Sequence, residues 1–220
     1  MFYLFASLSL ALAFPSILQG DVVQCPIIFD GRILHNLSIH SFESDVLSPY
    51  STQYVKGENL TWGQIILLPN VTTSRFDINK THRPLEVTIN DQSIFRSGQG
   101  LQLGFRRAGL LLKNDKNAAG ADAADQGVVT FHWSVKQDPN KALNLSHEYM
   151  NVWHEKSDYN GNQFTFAGGT ILPVDGGTKN NTEERDTWKI QDSKNRFLFH
   201  TPIRSDIWQN FAVQLDYTKK

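Results

Sequence analysis

An all-β domain, an antiparallel β-sandwich of jelly-roll type, is the fold this sequence predicts, and three observations predict it. Apolar and polar residues alternate with period two in short runs, as they do when a strand buries one face and wets the other. Gly, Pro, Asn and Asp separate the runs at fairly even spacing, which suits tight connections between antiparallel strands. No stretch keeps a helical period over three turns, apart from a short piece at 61–67, and this argues against βαβ architectures.

In chain order, the first expected strand is 85–95, followed by 105–112. In the latter, Arg107, Gly109 and Leu111 share one face, while Arg106, Ala108, Leu110 and Leu112 share a more apolar one. At 128–135, Val129, Phe131, Trp133 and Val135 alternate with Thr130, His132 and Ser134, a half-buried strand with Trp133 in the core. The strand at 145–153 carries Glu148 between His147 and Tyr149, and strict alternation puts His147, Tyr149 and Trp153 on one face. Strands at 163–170, 196–203 and 211–217 complete the set, the last alternating Phe211, Val213, Leu215 and Tyr217 with Ala212, Gln214 and Asp216. An alanine-rich loop at 117–125 and the polar segment 175–186 read as mobile surface.

Residues 1–20 carry no charge and have the apolar core of a signal peptide, so 21–220 is expected to form one mature, secreted, extracellular domain. No later run is long and apolar enough for a membrane-spanning helix. Asn-X-Ser/Thr sequons begin at Asn36, Asn59, Asn70, Asn79, Asn144 and Asn180. That is six, where 16 Asn with 30 Ser plus Thr in 220 residues would give roughly two by chance. The excess points to N-glycosylation, which requires passage through the secretory route. Lys plus Arg (21) nearly balances Asp plus Glu (22), so nothing electrostatic favours nucleic acid or an anionic membrane as partner. Cys25 is the only cysteine. It forms no disulfide framework and reads as a buried small residue, with an intermolecular disulfide or reactive thiol as the alternative.

Motifs for other chemistries are missing: no Gly-X-Ser-X-Gly elbow, Walker loop, His-Glu-X-X-His or dinucleotide fingerprint. No metal and no cofactor is expected. A carboxylate in an apolar strand needs a reason, and Glu148 has two available, an ion pair with an arginine across the sheet or catalysis. Glu58, Glu155 and Asp158 read as solvated loop or strand-end charges. Sugar rings, with an apolar face and a rim of hydroxyls, are held by flat aromatics together with amides and charged forks. Arg106, Arg107, His147, Tyr149, Trp153 and Gln209 are the residues of those kinds expected to line a groove.

Three blocks carry a family resemblance. They are Cys25-Pro26-Ile27-Ile28-Phe29-Asp30-Gly31-Arg32, Tyr54-Val55-Lys56-Gly57-Glu58-Asn59-Leu60-Thr61-Trp62 and Leu143-Asn144-Leu145-Ser146-His147-Glu148-Tyr149. Together they resemble the fungal β-glucanases of glycoside hydrolase family 131, from about Cys25 to the last residues. The resemblance implies a β-jelly roll, a β-1,3, β-1,6 or β-1,4-glucan of the cell wall as substrate, and Glu148 as a catalytic carboxylate in the cleft. Glycoside hydrolysis usually needs two such groups. The family pattern places the other in Phe-Arg-Arg-Ala-Glu-Leu, which here reads Phe105-Arg106-Arg107-Ala108-Gly109-Leu110. Glycine is neither acid nor base. The pattern's Trp-His-Asn-Phe reads Trp208-Gln209-Asn210-Phe211, and glutamine exchanges no proton near neutral pH. The chain also stops at Lys220, short of the family pattern, so truncation or an exposed sheet edge is expected. Two readings stay open: a β-glucan hydrolase impaired at Gly109, or a non-catalytic, lectin-like β-glucan-binding protein of the wall or host surface.

Overall fold

The computed structural model describes residues 26–53, 55–116, 118–172, 185–205 and 207–219. The expected signal peptide, Cys25, Asn180, Lys220 and most of segment 175–186 lie outside them. Among the described residues every hydrogen-bonded ladder is antiparallel, and the helical pieces are short 3-10 turns.

Six two-residue strands come first: β1 (Ile33–Leu34), β2 (Ile66–Leu67), β3 (His82–Arg83), β4 (Glu86–Val87), β5 (Arg96–Ser97) and β6 (Gly100–Leu101). They pair β1 with β3, β2 with β4 and β5 with β6. Six longer strands follow: β7 (Val128–Val135), β8 (Glu148–Glu155), β9 (Asn162–Gly169), β10 (Thr187–Asp192), β11 (Phe197–Pro202) and β12 (Gln209–Asp216). The order β11-β10-β9-β8 forms a four-stranded sheet, and β12-β7 a two-stranded one.

The two sheets pack face to face. Phe166, Trp188 and Ile190 from the larger sheet meet Phe211, Trp133 and Val213 from the smaller. Phe166 is fully buried, with ring centroids 5.2 Å from Trp133 and 4.6 Å from Phe211, burial worth about 2–3 kcal/mol. This is the predicted sandwich, and the β12–β7 ladder sets Phe211 opposite Trp133 and Val213 opposite Phe131, joining the apolar faces that each alternation marks. A second core belongs to the N-terminal short strands, where Ile33, Phe42, Leu60, Trp62, Ile65 and Ile66 pack with Ala108 and Leu110.

Several expectations are corrected. Residues 85–95 supply only β4 and lead into β5, because residues 88–95 turn to bond with the 55–65 segment: Thr88 N–H donates to Ile65 O (2.9 Å) and Glu58 N–H to Ile94 O (3.2 Å). Residues 105–112 form no strand. They run extended but bond to three different partners, with Arg107 N–H on Ser93 O (2.8 Å), Gly109 N–H on Val55 O (2.7 Å) and Ser51 N–H on Leu111 O (3.1 Å), so no continuous ladder forms. The helical piece at 61–67 is a single 3-10 turn, Trp62–Gln64, running into β2. The alanine-rich loop is laced by Asp122 and Asp125, which cap a 3-10 turn at Ala123–Asp125 and accept the N–H groups of Lys116 and Gly120. Strand β10 is absent from the expected set. Its Trp188 and Ile190 alternate with Lys189 and Gln191, yet both faces are buried, and a buried lysine and glutamine conceal the strand.

Candidate functional site

Glu148 opens β8, and its direction follows from the ladder with β9. Glu148 stands opposite Gly169, Met150 opposite Ala167 and Trp153 opposite Thr165. On β9 these partners are two residues apart and share one face, the one turned away from the Phe166 core. Glu148 and Trp153 therefore share a face, although their spacing is odd. A bulge between Met150 and Val152 causes this by inserting one residue into β8. Strict alternation had grouped Trp153 with Tyr149; instead Tyr149 faces Gly168, on the side where Val152 opposes Phe166.

The residue opposite Glu148 must be glycine. Gly169 has φ +77°, and a Cβ there would lie 2.0 Å from the carbonyl oxygen of His147. That oxygen accepts the Thr170 N–H at 3.0 Å, and Thr170 Oγ1 donates to Leu145 O at 2.8 Å. Lys189, only 1% exposed, extends its Nζ to Gly169 O (3.2 Å) and Thr187 O (3.1 Å). The end of β9 is thus pinned from both sides, and with it the start of β8.

Glu148 itself is half-buried, and its Oε2 accepts the backbone N–H of Leu172 at 3.1 Å. Burial raises its pKa above the ordinary glutamate value, and the Leu172 hydrogen bond opposes that rise. Among the described residues no arginine pairs with it, so the ion-pair explanation does not apply. A carboxyl that holds its proton above the usual range suits a general acid.

Beside Trp153 lies the Arg107 to Gly109 segment. The Arg107 guanidinium carbon sits 5.2 Å from the Phe95 ring centre and 5.8 Å from that of Trp153, a cation between two aromatics. Its Nη1 donates to Gln102 Oε1 at 3.3 Å, and burial lowers its pKa while the Glu155 charge opposes the shift. Gly109 is buried. A Cβ built on it would meet Val55 Cγ1 at 3.1 Å and Trp153 Cη2 at 3.7 Å, so position 109, like Arg107, lies against Trp153. Val55, a β-branched residue at φ +67°, is a strained point in the backbone over this site.

The other expected site residues are dispersed. His147 is exposed, with its ring edge-on to Tyr149 at 6.4 Å, and the Tyr149 hydroxyl accepts the Asn144 N–H at 3.1 Å. Arg106 lies on the surface, donating to Leu103 O (3.1 Å) and Phe105 O (3.2 Å) and reaching Asp91 at 3.5 Å. Gln209 is engaged within the protein: its Oε1 accepts from Trp188 Nε1 and from the Arg204 N–H, each at 2.9 Å, and its Nε2 donates to Pro202 O at 2.9 Å. Trp188 belongs to the inner core, so Gln209 sits on the opposite face of the sheet from Glu148. Glu58 pairs with Arg96 at 2.7 Å, Asp158 caps its own turn through Asn160 N–H, and Glu155 is exposed at a strand end. Asn36, Asn59, Asn70, Asn79 and Asn144 are all exposed. The places of Phe95, Val55, Gly169 and Lys189 around this site cannot be read from the sequence, because they arise from contacts between distant segments.

Two hollows among the described residues lie apart from Glu148. One of about 690 Å³ is lined by residues of the 35–39 and 67–69 segments with Arg83 and Glu86. Another of about 260 Å³ is lined by Lys56, Gly57, Glu58, Phe95 and Arg96, and adjoins the Arg107 stack through Phe95. The chemistry and the flat aromatic therefore decide the candidate site, and cavity size does not. A family model described as the glycoside hydrolase 131 catalytic N-terminal domain matches residues 27–220. No curated protein matches the chain.

Proposed function

From the membership of this chain in glycoside hydrolase family 131, we propose that it is a secreted protein acting on β-glucan of the cell wall, with hydrolysis impaired by Gly109. The family implies a polysaccharide substrate. The finer reading rests on one observation: Glu148, raised in pKa, shares a sheet face with Trp153, against which position 109 is packed. The sandwich is then the jelly roll of the family, and the polymer lies along the β8 edge of that face, beside Glu148 and Trp153, since the rest of the face is covered by the protein.

On this reading the C–H face of a glucose ring stacks on Trp153, whose orientation Arg107 holds from the other side. Protonated Glu148 donates its proton to the glycosidic oxygen as the bond to the leaving sugar breaks. The partner that would activate water, or attack the anomeric carbon, has no side chain at 109. Acid–base assistance acts chiefly in the transition state, so its loss lowers turnover and spares ground-state binding. The non-catalytic, lectin-like reading is the limit of the same argument, and the observation that favours it is again Gly109.

Parallel assays separate the two. Reducing-end release from laminarin, lichenan and cellulose is measured beside binding to the same polymers, for the unaltered protein and for Trp153→Ala. Binding that Trp153→Ala weakens by about tenfold, with slow or no release, supports the proposal. Rapid release by the unaltered protein removes the impairment. Absence of binding to all three polymers removes the β-glucan reading.

A further inference from the structure

The hollow of about 690 Å³ has no part in the chemistry around Glu148, but it has an unusual border of sequons. Asn36 lines it directly. Asn70 follows the lining residue Pro69, and Asn79 offers its carbonyl to the lining His35 ring at 3.3 Å. Three exposed glycosylation sequons from separate segments thus gather at one surface depression. Its size falls in the range of sites that hold small ligands, roughly 300–1,000 Å³.

The lining is amphipathic. Leu67 and Pro69 present apolar surface, and Leu34 and Val71 in the adjoining segments stay exposed. Polar groups converge beside them. Arg83 donates to Leu68 O at 3.1 Å, and Glu86 pairs with Lys141 at 3.3 Å. N-acetylglucosamine matches this mixture, with an apolar C–H face and acetyl methyl beside an amide and several hydroxyls.

We infer that the hollow seats the first sugars of an N-linked glycan carried by Asn36, with the Asn70 and Asn79 sequons on the same sheathed face. This rests on the secretory part of the proposed function. Attachment is a group transfer. The Asn36 amide nitrogen forms a C–N bond to the anomeric carbon of a lipid-diphosphate-linked oligosaccharide; the C–O bond to the diphosphate breaks, the lipid diphosphate leaves, and one amide proton is lost. The sugars then cover Leu67 and Pro69, and the polymer substrate is left to the Glu148 face.

The test uses the full chain secreted from a eukaryotic host. Peptide mass mapping reads occupancy at each sequon, and amide hydrogen exchange compares the unaltered protein with Asn36→Gln and Asn144→Gln. Asn36 is expected to be occupied. Exchange across residues 67–70 is expected to be about tenfold faster in Asn36→Gln and unchanged in Asn144→Gln. Asn36 empty while Asn144 is occupied overturns the inference and leaves the secretory reading standing, as does equal exchange in all three proteins. Every sequon empty overturns both.

Discussion

Placing a carboxylate at position 109 is the sharpest perturbation the site allows. Gly109 has ordinary backbone geometry, so a side chain there is limited by space alone. A Cβ would lie 3.1 Å from Val55 Cγ1, closer than ordinary contact, while Val55 Cβ at 3.5 Å and Trp153 Cη2 at 3.7 Å are ordinary neighbours. Gly109→Glu alone is therefore expected to lose about 1–3 kcal/mol of stability from overpacking. Val55→Ala removes the offending methyl at a cost of about 1.6 kcal/mol for two buried carbons. The pair should then cost less than the sum of its parts, since the clash is no longer present. In the double variant the new carboxylate emerges two residues from Arg107, on the same side, with a cation to stabilise it. On the proposed function, a carboxylate at 109 supplies the second acid–base group and should raise reducing-end release from β-glucan by about 10²–10⁴-fold, or roughly 3–5 kcal/mol of barrier. Adding Glu148→Gln should abolish that gain. Urea unfolding supplies the stabilities, and steady-state sugar release supplies the rates. A cooperatively folded double variant with no gain in turnover refutes the assignment of position 109 to the chemistry.

Two further predictions concern pH. Glu148 has a raised pKa when folded, so the native state binds more protons than the unfolded chain above the ordinary value of 4.5, and stability falls as pH rises through that window. Thermal unfolding of Glu148→Gln should accordingly show a Tm gain over the unaltered protein that grows as pH rises through the window; a gain that shrinks would contradict the burial argument. His154 behaves in the opposite sense. Burial lowers its pKa against the opposing charges of Asp115, Asp125 and Asp122, and its Nε2 lies 2.6 Å from the Tyr217 hydroxyl. The unfolded chain then binds the extra proton, so stability should drop as pH falls below 6.5, and His154→Phe should flatten that slope. Urea midpoints measured from neutral to mildly acidic pH decide this, and an unchanged slope in His154→Phe would refute it.

Much of the architecture was legible because burial on one face writes a period of two into a strand. Val129, Phe131 and Trp133 in β7 read as one face on that ground, as do Phe211, Val213 and Leu215 in β12; that the two strands pair is set by the structure. Strand β10 shows where the rule fails. Lys189 and Gln191 are buried on its second face because carbonyl oxygens meet them there, and no local pattern announces such partners.

Local chemistry was legible in the chain as a carboxylate, Glu148, set between His147 and Tyr149 in a strand-like run, and as a near balance of positive and negative charge. Which residues stand together was settled only by tertiary contacts. A single inserted residue in β8 moved Trp153 to the side of Glu148, and Gly169 and Lys189, drawn from two other strands, hold that strand end in place. The physical reason is that side-chain alternation is a property of one strand, whereas bulges and buried polar contacts depend on what its neighbours present.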